Sequence, residues 1–268
     1  MPNYIKGGRS LPYSPSELSA IKPLDKDSPE ALEYRARVQS SLGVLTWISS
    51  VSRPDVSWAV SQLSSFNHTG GKAIYEQILH VFRYLRRTAA WKLHLYPRPG
   101  GVTQLYPEGV PTDGLVGFSD ASWGVPRPPM GHLLVYNGGC FGWGSKRATS
   151  TPLSSAAAEA AAIARLAILA INTATLVALL DGDHRPKVVP LLCDNSAAIA
   201  LSEQKTSVNN SKMVALKLAF IREAVAQRLV STHFVSTSEQ AADLLTKAIA
   251  SPTLFHKLRA FLVGHTGE

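Results

Sequence analysis

Four acidic residues in the second half of the chain are candidate metal ligands: Asp120, Glu159, Asp194 and Asp243. Asp120 and Asp194 each end a short apolar run of the strand type, and ligand sites in α/β folds collect at the ends of strands. Initiation of a turn is the alternative role for either aspartate. Carboxylates shared by a pair of magnesium ions would serve phosphodiester hydrolysis, because the ions activate a water and stabilise the leaving oxygen.

Glu159 is the most informative of the four, because it is the only charged residue between Arg147 and Arg165. A helix that is apolar nearly all round is expected to be buried on most faces, and an ionised carboxylate inside it needs a partner charge or a metal ion. Ser155 is the predicted N-cap, and the helix dipole would favour a nearby acid by only ~0.3–1 kcal/mol. Asp243, one or two turns into a predicted last helix, would be unremarkable alone.

Other metal and phosphate chemistries find no support in the sequence. The histidines form no HExxH or paired cluster, which argues against zinc, and no GxxxxGK[ST] loop is present for nucleotide hydrolysis. Cys140 and Cys193 lie in apolar runs without metal-ligand spacing, so we expect buried reduced thiols in an intracellular protein, in the cytoplasm or nucleus. The polar, Pro-rich start lacks the apolar core of a signal peptide, so secretion is not expected.

The charge balance allows an anionic partner. The formal net charge is +8, although a mildly basic soluble protein without nucleic acid is equally consistent with that value. The long apolar stretch at 156–180 is interrupted by Glu159 and Arg165, and the remaining uncharged run is shorter than the ~20 residues of a bilayer span. A core helix is therefore expected there, and no membrane partner.

Composition divides the chain into four stretches. Residues 1–29 are Pro-rich without periodicity, which predicts an extended or disordered lead-in. Residues 30–96 carry apolar stripes at helical spacing, and residues 97–114 are dense in Pro and Gly, as in a linker. Residues 115–264 alternate between strand and helix patterns, which predicts an α/β domain with a mixed sheet. Its predicted elements are three antiparallel strands, a helix over 155–180, a strand ending at Asp194, helices over 195–201 and 212–228, a last strand, and a mostly helical segment over 239–263 that is interrupted near Pro252.

From about residue 34 to residue 249, the chain resembles the C-terminal part of copia-type retrotransposon Pol polyproteins, in which the end of reverse transcriptase precedes ribonuclease H. The resemblance implies a ribonuclease H-like mixed five-stranded sheet flanked by helices, preceded by a small helical region like the reverse transcriptase thumb or connection. The motifs that carry the resemblance, in chain order, are GVLTWISSVSRPDVSWAVSQLSSF, HVFRYLRRTAAWKLHLY, FSDASW, WGSKR, LSSAAAEAAAIA, LCDNSAAIAL, FIRE and STSEQAADLLTK.

This resemblance assigns roles to the candidate residues. It implies an endonuclease that cuts the RNA strand of an RNA–DNA hybrid with two Mg²⁺ ions, for which Mn²⁺ can substitute, and with no small-molecule cofactor. Asp120 would bridge the ions, and reverse transcriptase or other Pol products are further candidate partners. The implied catalytic and metal-binding residues are Asp120, Glu159, Asp194 and Asp243, and the candidate nucleic-acid contacts are Lys146, Arg147, Asn195, Ser196 and Lys212. For Asn195 and Ser196, capping of the following helix is the alternative.

The sequence also departs from the family pattern. The Tyr-x-Asp-Asp motif of the polymerase is missing, so DNA synthesis by this chain alone is not expected. The turn at 124–131 is short and Pro-rich, and residues 156–160 keep only the acid expected to bind metal. Two alternatives to the nuclease therefore stay open. One is a catalytically inactive or repurposed nucleic-acid-binding remnant that uses the basic helices around 83–87 and 212–228; the other is an interaction fragment built on the helices of 30–90.

Overall fold

The computed structural model describes residues 11–95, 106–111, 114–182, 185–203 and 212–265. The helices are α1 (Pro15–Ala20), α2 (Pro29–Val51), α3 (Ser57–Ser64), α4 (Lys72–Arg87), α5 (Ser155–Leu180), α6 (Ser196–Glu203), α7 (Lys212–Ala226) and α8 (Pro252–Leu262). The strands are β1 (Trp91–Leu93), β2 (Leu115–Ala121), β3 (Pro129–Tyr136), β4 (Gly139–Arg147), β5 (Val189–Cys193), β6 (Val230–Phe234) and β7 (Val263–His265).

The chain forms two compact units, one of residues 1–93 with 248–268 and one of residues 94–247. The C-terminal segment thus groups with the first unit, whereas the sequence predicted a domain that runs on through residue 264. Much of the predicted lead-in and most of the predicted linker (residues 1–10, 96–105 and 112–113) lie outside the described residues. The four predicted domain boundaries therefore stay predictions.

The second unit is built on a five-stranded mixed sheet in the order β4-β3-β2-β5-β6. β2, β3 and β4 are antiparallel neighbours, as short apolar runs separated by turn-forming residues predicted, whereas β5 and β6 run parallel to β2. Helices flank this sheet, so the predicted α/β fold class is confirmed. Because β2 and β5 are adjacent and parallel, the residues that follow both strands lie at the same edge of the sheet.

Helix α5 packs closely on one face of the sheet. Gly117 of β2 has no side chain where a Cβ would come within 2.9 Å of the Leu166 side chain, so this glycine permits the close approach. Ile163, Leu166 and Ala167 are buried in a core shared with Leu191 of β5. The many alanines on the same side of α5 keep the helix near the strands.

The second half of α5 is apolar but largely exposed. Within the described residues, α5 is the one helix long and apolar enough to cross a membrane, although only 39% of its most apolar window is buried. Leu176, Leu179 and Leu180 are exposed. The expectation of a helix buried on most faces therefore holds over 157–167, where nine of the eleven residues are buried, and is wrong for the second half, which buries only the side facing its neighbours.

The first unit contains a buried network of charged and polar groups. The guanidinium of Arg53 donates two hydrogen bonds to the Asp55 carboxylate, at 2.9 and 2.8 Å, and the Tyr84 hydroxyl donates a third at 2.5 Å. Arg259 of α8 donates to the Tyr84 oxygen and stacks over the Trp91 ring, with 3.4 Å between the guanidinium carbon and the ring centroid. This network joins α8 to α4 and β1.

We expect the substitution Asp55→Asn to lower the free energy of unfolding by about 3–5 kcal/mol, because it leaves the buried Arg53 guanidinium without a counter-charge. Denaturation of the full chain in urea measures this loss. The matched control is Glu76→Gln, since Glu76 is exposed and lies 4.0 Å from Arg83, and an exposed pair contributes only about 0–1 kcal/mol. Equal effects of the two substitutions would contradict the structural importance of the network.

Candidate metal centre

Three of the predicted acids meet at one edge of the sheet. Asp120 lies near the end of β2, Asp194 directly follows β5, and Asp243 lies in a 3₁₀ turn at Ala241–Leu245. One carboxylate oxygen from each lies within 4.8 Å of the others. Asp120 and Asp243 are buried and Asp194 is partly buried. The structure thus brings together three side chains that are far apart in sequence.

Glu159 lies beside this triad but is not part of it. Its side chain is buried in α5, where the Sγ of Cys193 lies 3.8 Å from Oε2 and can donate a weak hydrogen bond. Burial, and then repulsion by Asp120, raises the pKa of Glu159 to about 9. The N-cap of α5 is Ser154, whose side chain accepts a hydrogen bond from Ala157 N–H, rather than the predicted Ser155.

The predicted mostly helical segment over 239–263, interrupted near Pro252, is present as a 3₁₀ turn at Ala241–Leu245, a break, and α8 from Pro252; the prediction that Asp243 lies one or two turns into a regular helix is wrong. The buried side chain of Gln240 explains the difference. Its Nε2 donates to the Ser119 carbonyl at 3.0 Å, and its Oε1 accepts from Ala242 N–H at 3.2 Å. A side chain that binds nearby backbone groups offers an alternative to a regular helix. Gln240 thereby anchors the turn to the strand that carries Asp120.

Two threonines hold the aspartates in place. The hydroxyl of Thr246 donates to Oδ2 of Asp120, and that of Thr237 donates to Oδ2 of Asp194 at 3.0 Å. The Ser122 hydroxyl in turn donates to the Thr246 carbonyl at 2.9 Å. Sequence reasoning did not single out these positioning residues. Both threonines lie in the motif STSEQAADLLTK, so the polar positions around Asp243 were the signal that could have found them.

One cation lies within this cluster of acids. The Nζ of Lys247 is 2.8 Å from Oδ1 of Asp243 and 3.8 Å from Oδ2 of Asp120. Burial opposes its charge, but the carboxylates of Asp120 and Asp243 outweigh that effect and raise the pKa of Lys247. Sequence reasoning missed this residue as well, although it lies four positions after Asp243.

The acids still repel one another despite this ammonium. Burial, and then the charge of Asp120, raises the pKa of Asp243 to about 8 and also raises that of Asp194. Together with Glu159, these groups cannot all ionise at neutral pH without further positive charge. Such a site favours the binding of a cation whose charge is higher than the single positive charge of Lys247.

The donor set fits a hard divalent cation. Mg²⁺ and Ca²⁺ lie about 2.0–2.6 Å from their oxygen ligands, so opposite ligand oxygens are roughly 4–5 Å apart. The oxygens of Asp120, Asp194 and Asp243 meet that requirement. Burial raises the pKa of the Cys193 thiol, so no thiolate is available as a soft ligand. The three aspartates would therefore hold the ion, with Glu159 beside it.

The basic candidates for nucleic-acid contact lie at the same edge of the sheet. Lys146 and Arg147 are exposed at the end of β4, which runs in the same direction as β2. Lys146 pairs with Met130, which pairs with Ala121, so Lys146 lies two strands from the aspartates, or about 10 Å at the usual strand spacing. That separation allows one substrate to contact both groups.

The remaining candidates follow β5 and begin α7. The side chain of Asn195 accepts a hydrogen bond from Ala198 N–H at 3.0 Å, which is the capping role given as its alternative. Ser196 is exposed as the first residue of α6, and Lys212 is exposed as the first residue of α7. Their roles in nucleic-acid binding stay predictions.

Comparison with curated proteins gives the relatives of this chain. It is 27% identical over 247 residues to the retrovirus-related Pol polyprotein from transposon TNT 1-94 of Nicotiana tabacum, a match that covers 89% of this chain. It is 27% identical over 227 residues to the corresponding polyprotein from transposon RE1 of Arabidopsis thaliana, with 81% of this chain covered. This chain is similar to retrotransposon Pol polyproteins over most of its length.

The chain spans 18% of the tobacco polyprotein and 14% of the Arabidopsis one. A stretch of 120 residues, 43% of the chain, is also 33% identical to secreted RxLR effector protein 161 of Plasmopara viticola and covers 76% of that protein. No protein-family model matches the chain.

Solved structures of ribonuclease H are similar to this chain at low identity. The LC11-RNase H1 isolated from compost is 17% identical and has a TM-score of 0.37, with 50% of this chain and 93% of that chain covered. The same enzyme in complex with an RNA/DNA hybrid is 14% identical with a TM-score of 0.37, with 49% and 93% covered. The fold assignment stands on the strand order and directions of the sheet itself.

The raised pKa values predict that the metal-free protein loses stability as pH rises. Glu159 titrates near its ordinary value of 4.5 when unfolded and at about 9 when folded. The folded state therefore retains a proton that the unfolded state releases, and this stabilisation is lost between those values. We expect the free energy of unfolding in EDTA to fall by roughly 2–4 kcal/mol from pH 5 to pH 9.

Urea denaturation across this pH range tests the prediction. Glu159→Gln should reduce the dependence, because the amide does not titrate, and Asp243, whose pKa is also raised, should account for part of what remains. Asp181→Asn at the exposed end of α5 should leave the dependence unchanged. Stability that stays constant or increases toward pH 9 in the unsubstituted protein would show that the acids do not repel one another as the structure indicates.

Proposed function

We propose that this chain is a metal-dependent endonuclease that hydrolyses the RNA strand of RNA–DNA hybrids, and that it does not synthesise DNA on its own. The observation that carries the proposal is the convergence of oxygens from Asp120, Asp194 and Asp243 within 4.8 Å, with buried Glu159 beside them. The homology to Pol polyproteins supports the same reaction class.

Each residue of the centre has a proposed role. Asp120, Asp194 and Asp243 would hold a pair of Mg²⁺ ions, or Mn²⁺ in their place. When bound, the ions would supply water activation and stabilisation of the leaving oxygen. Thr246 and Thr237 each donate a hydrogen bond to one carboxylate oxygen, of Asp120 and Asp194 respectively, which restricts the rotation of both carboxylates. Glu159 would complete the set of carboxylates.

The substrate would lie across the edge of the sheet that carries the aspartates. Lys146 and Arg147 would contact backbone phosphates on one side, and Ser196 and Lys212 would contact the duplex near β5 and α7. Recognition of an RNA strand requires contact with its 2′-hydroxyl groups and with the shape of the duplex. Because the chain spans only 18% of the tobacco polyprotein, reverse transcriptase and other Pol products are proposed as partners.

Cleavage of a labelled hybrid by the purified chain tests the function. We expect Mg²⁺-dependent cutting of the RNA strand, and loss of cutting to background in Asp120→Asn and Asp194→Asn, because each substitution removes a negatively charged ligand. The exposed control Asp181→Asn should cut normally. If the ligand variants cut as well as the unsubstituted chain, the assignment is rejected. Hybrid binding without cleavage at any divalent metal would support the inactive nucleic-acid-binding remnant instead.

Binding of the hybrid without cleavage tests the role of the basic residues. The double substitution Lys146→Ala and Arg147→Ala should weaken binding and reduce the slope of log affinity against log salt by about two units, since each lost phosphate contact contributes about 0.9. The control is the pair Arg185→Ala and Lys187→Ala, which precede β5 at the opposite edge of the sheet. A similar change in both double variants would show that only net charge matters.

A further inference from the structure

We propose that Lys247 is a resident cation of the carboxylate cluster that a divalent ion must displace, so that this residue sets the metal concentration at which the site fills. The inference rests on the proposed metal-dependent function. It assigns Lys247 a role in metal binding, as a competing cation, in addition to the roles proposed for the four carboxylates.

The position of Lys247 makes it part of the centre. Its backbone N–H donates to the Asp243 carbonyl at 3.2 Å, which fixes the start of the side chain beside the 3₁₀ turn. The ammonium lies 2.8 Å from Asp243 and 3.8 Å from Asp120, and both carboxylates are candidate metal ligands. An ordinary ion pair on the surface would not engage two buried acids of the same site.

The ammonium and a metal ion compete for the same carboxylates. A divalent ion about 2.0–2.2 Å from oxygens of Asp120 and Asp243 would lie within a few ångströms of the Lys247 nitrogen. At that separation two positive charges repel strongly, since the surrounding acids are largely shielded from water. One of the two cations must therefore move away when the metal binds.

Lys247 is the group that is free to move. Its side chain is 42% exposed, whereas those of Asp120 and Asp243 are only 4% and 3% exposed. A long, flexible lysine side chain can turn its ammonium into water while its backbone stays in place. Asp120 is held by Thr246, so the carboxylates keep their positions during the exchange. The ammonium thus reduces repulsion among the acids until a metal ion replaces it.

The test is to measure the binding of Mn²⁺ to the full chain, without nucleic acid, by titration calorimetry. We expect Lys247→Met to bind Mn²⁺ about fivefold more tightly, which is the size expected for loss of a competing, partly exposed ion pair. Lys247→Arg should bind Mn²⁺ with about the affinity of the unsubstituted chain, because arginine keeps the positive charge. Lys187→Met, an exposed lysine before β5, is the matched control and should bind unchanged.

Thermal unfolding gives a second measurement. Lys247→Met should melt at a lower temperature in EDTA, because the acids lose their counter-charge. Added Mn²⁺ should raise its melting temperature more than that of the unsubstituted chain, and this gain reports the tighter binding. A merely structural lysine would lower the melting temperature without changing this gain. Lys247→Gln provides a milder neutral variant for both measurements if the methionine variant does not fold.

The outcomes separate this inference from the proposed function. Equal or weaker Mn²⁺ binding by the neutral Lys247 variants overturns the inference but leaves the metal centre standing, provided that Asp194→Asn loses Mn²⁺ binding. Failure of every variant, including the unsubstituted chain, to bind Mn²⁺ overturns the proposed function and the inference with it.

Discussion

Repulsion among buried carboxylates is the constraint on which the candidate centre depends. Carboxylate oxygens of Asp120, Asp194 and Asp243 are brought within 4.8 Å of one another, with Glu159 alongside, in surroundings that raise the pKa values of Glu159, Asp194 and Asp243. An arrangement of this kind is unfavourable for folding unless positive charge compensates it. Without metal, the structure supplies one ammonium and several hydrogen-bond donors, so the cluster is held ready for a cation at some cost in stability.

The fold meets this constraint by holding the acids on rigid elements. Two of them end neighbouring parallel strands, β2 and β5, and the third is tied to β2 through Gln240. Close packing of α5 on the sheet, which Gly117 allows, brings Glu159 toward the same edge. The acids therefore cannot separate to relieve their repulsion without breaking the core of the unit, so the repulsion is relieved by taking up a proton or by binding a cation.

The first unit shows how buried charge is stabilised where no cation needs to bind. Asp55 accepts three hydrogen bonds, two from Arg53 and one from Tyr84, so its charge is fully compensated by protein groups. Arg259 extends the network to the C-terminal helix. The contrast is informative, since a structural acid is paired with a guanidinium, whereas the acids of the candidate centre share one partly exposed lysine. The difference in pairing is a physical reason to expect a ligand at the second site and none at the first.

Local sequence patterns determined the order of elements and the identity of the acids. The strands of the mixed sheet and the bounds of α5 follow from apolar periodicity, and the aspartates at the ends of β2 and β5 follow from their place after those runs. The 3₁₀ turn at Asp243, the threonines, the pairing of Lys247 and the return of α8 to the first unit were decided only by the tertiary structure. Gln240 donates a hydrogen bond to a residue 121 positions away, and Thr246 donates one to a residue 126 positions away. Periodicity reports which side of an element is apolar, but such polar contacts depend on which segments the folded chain brings together.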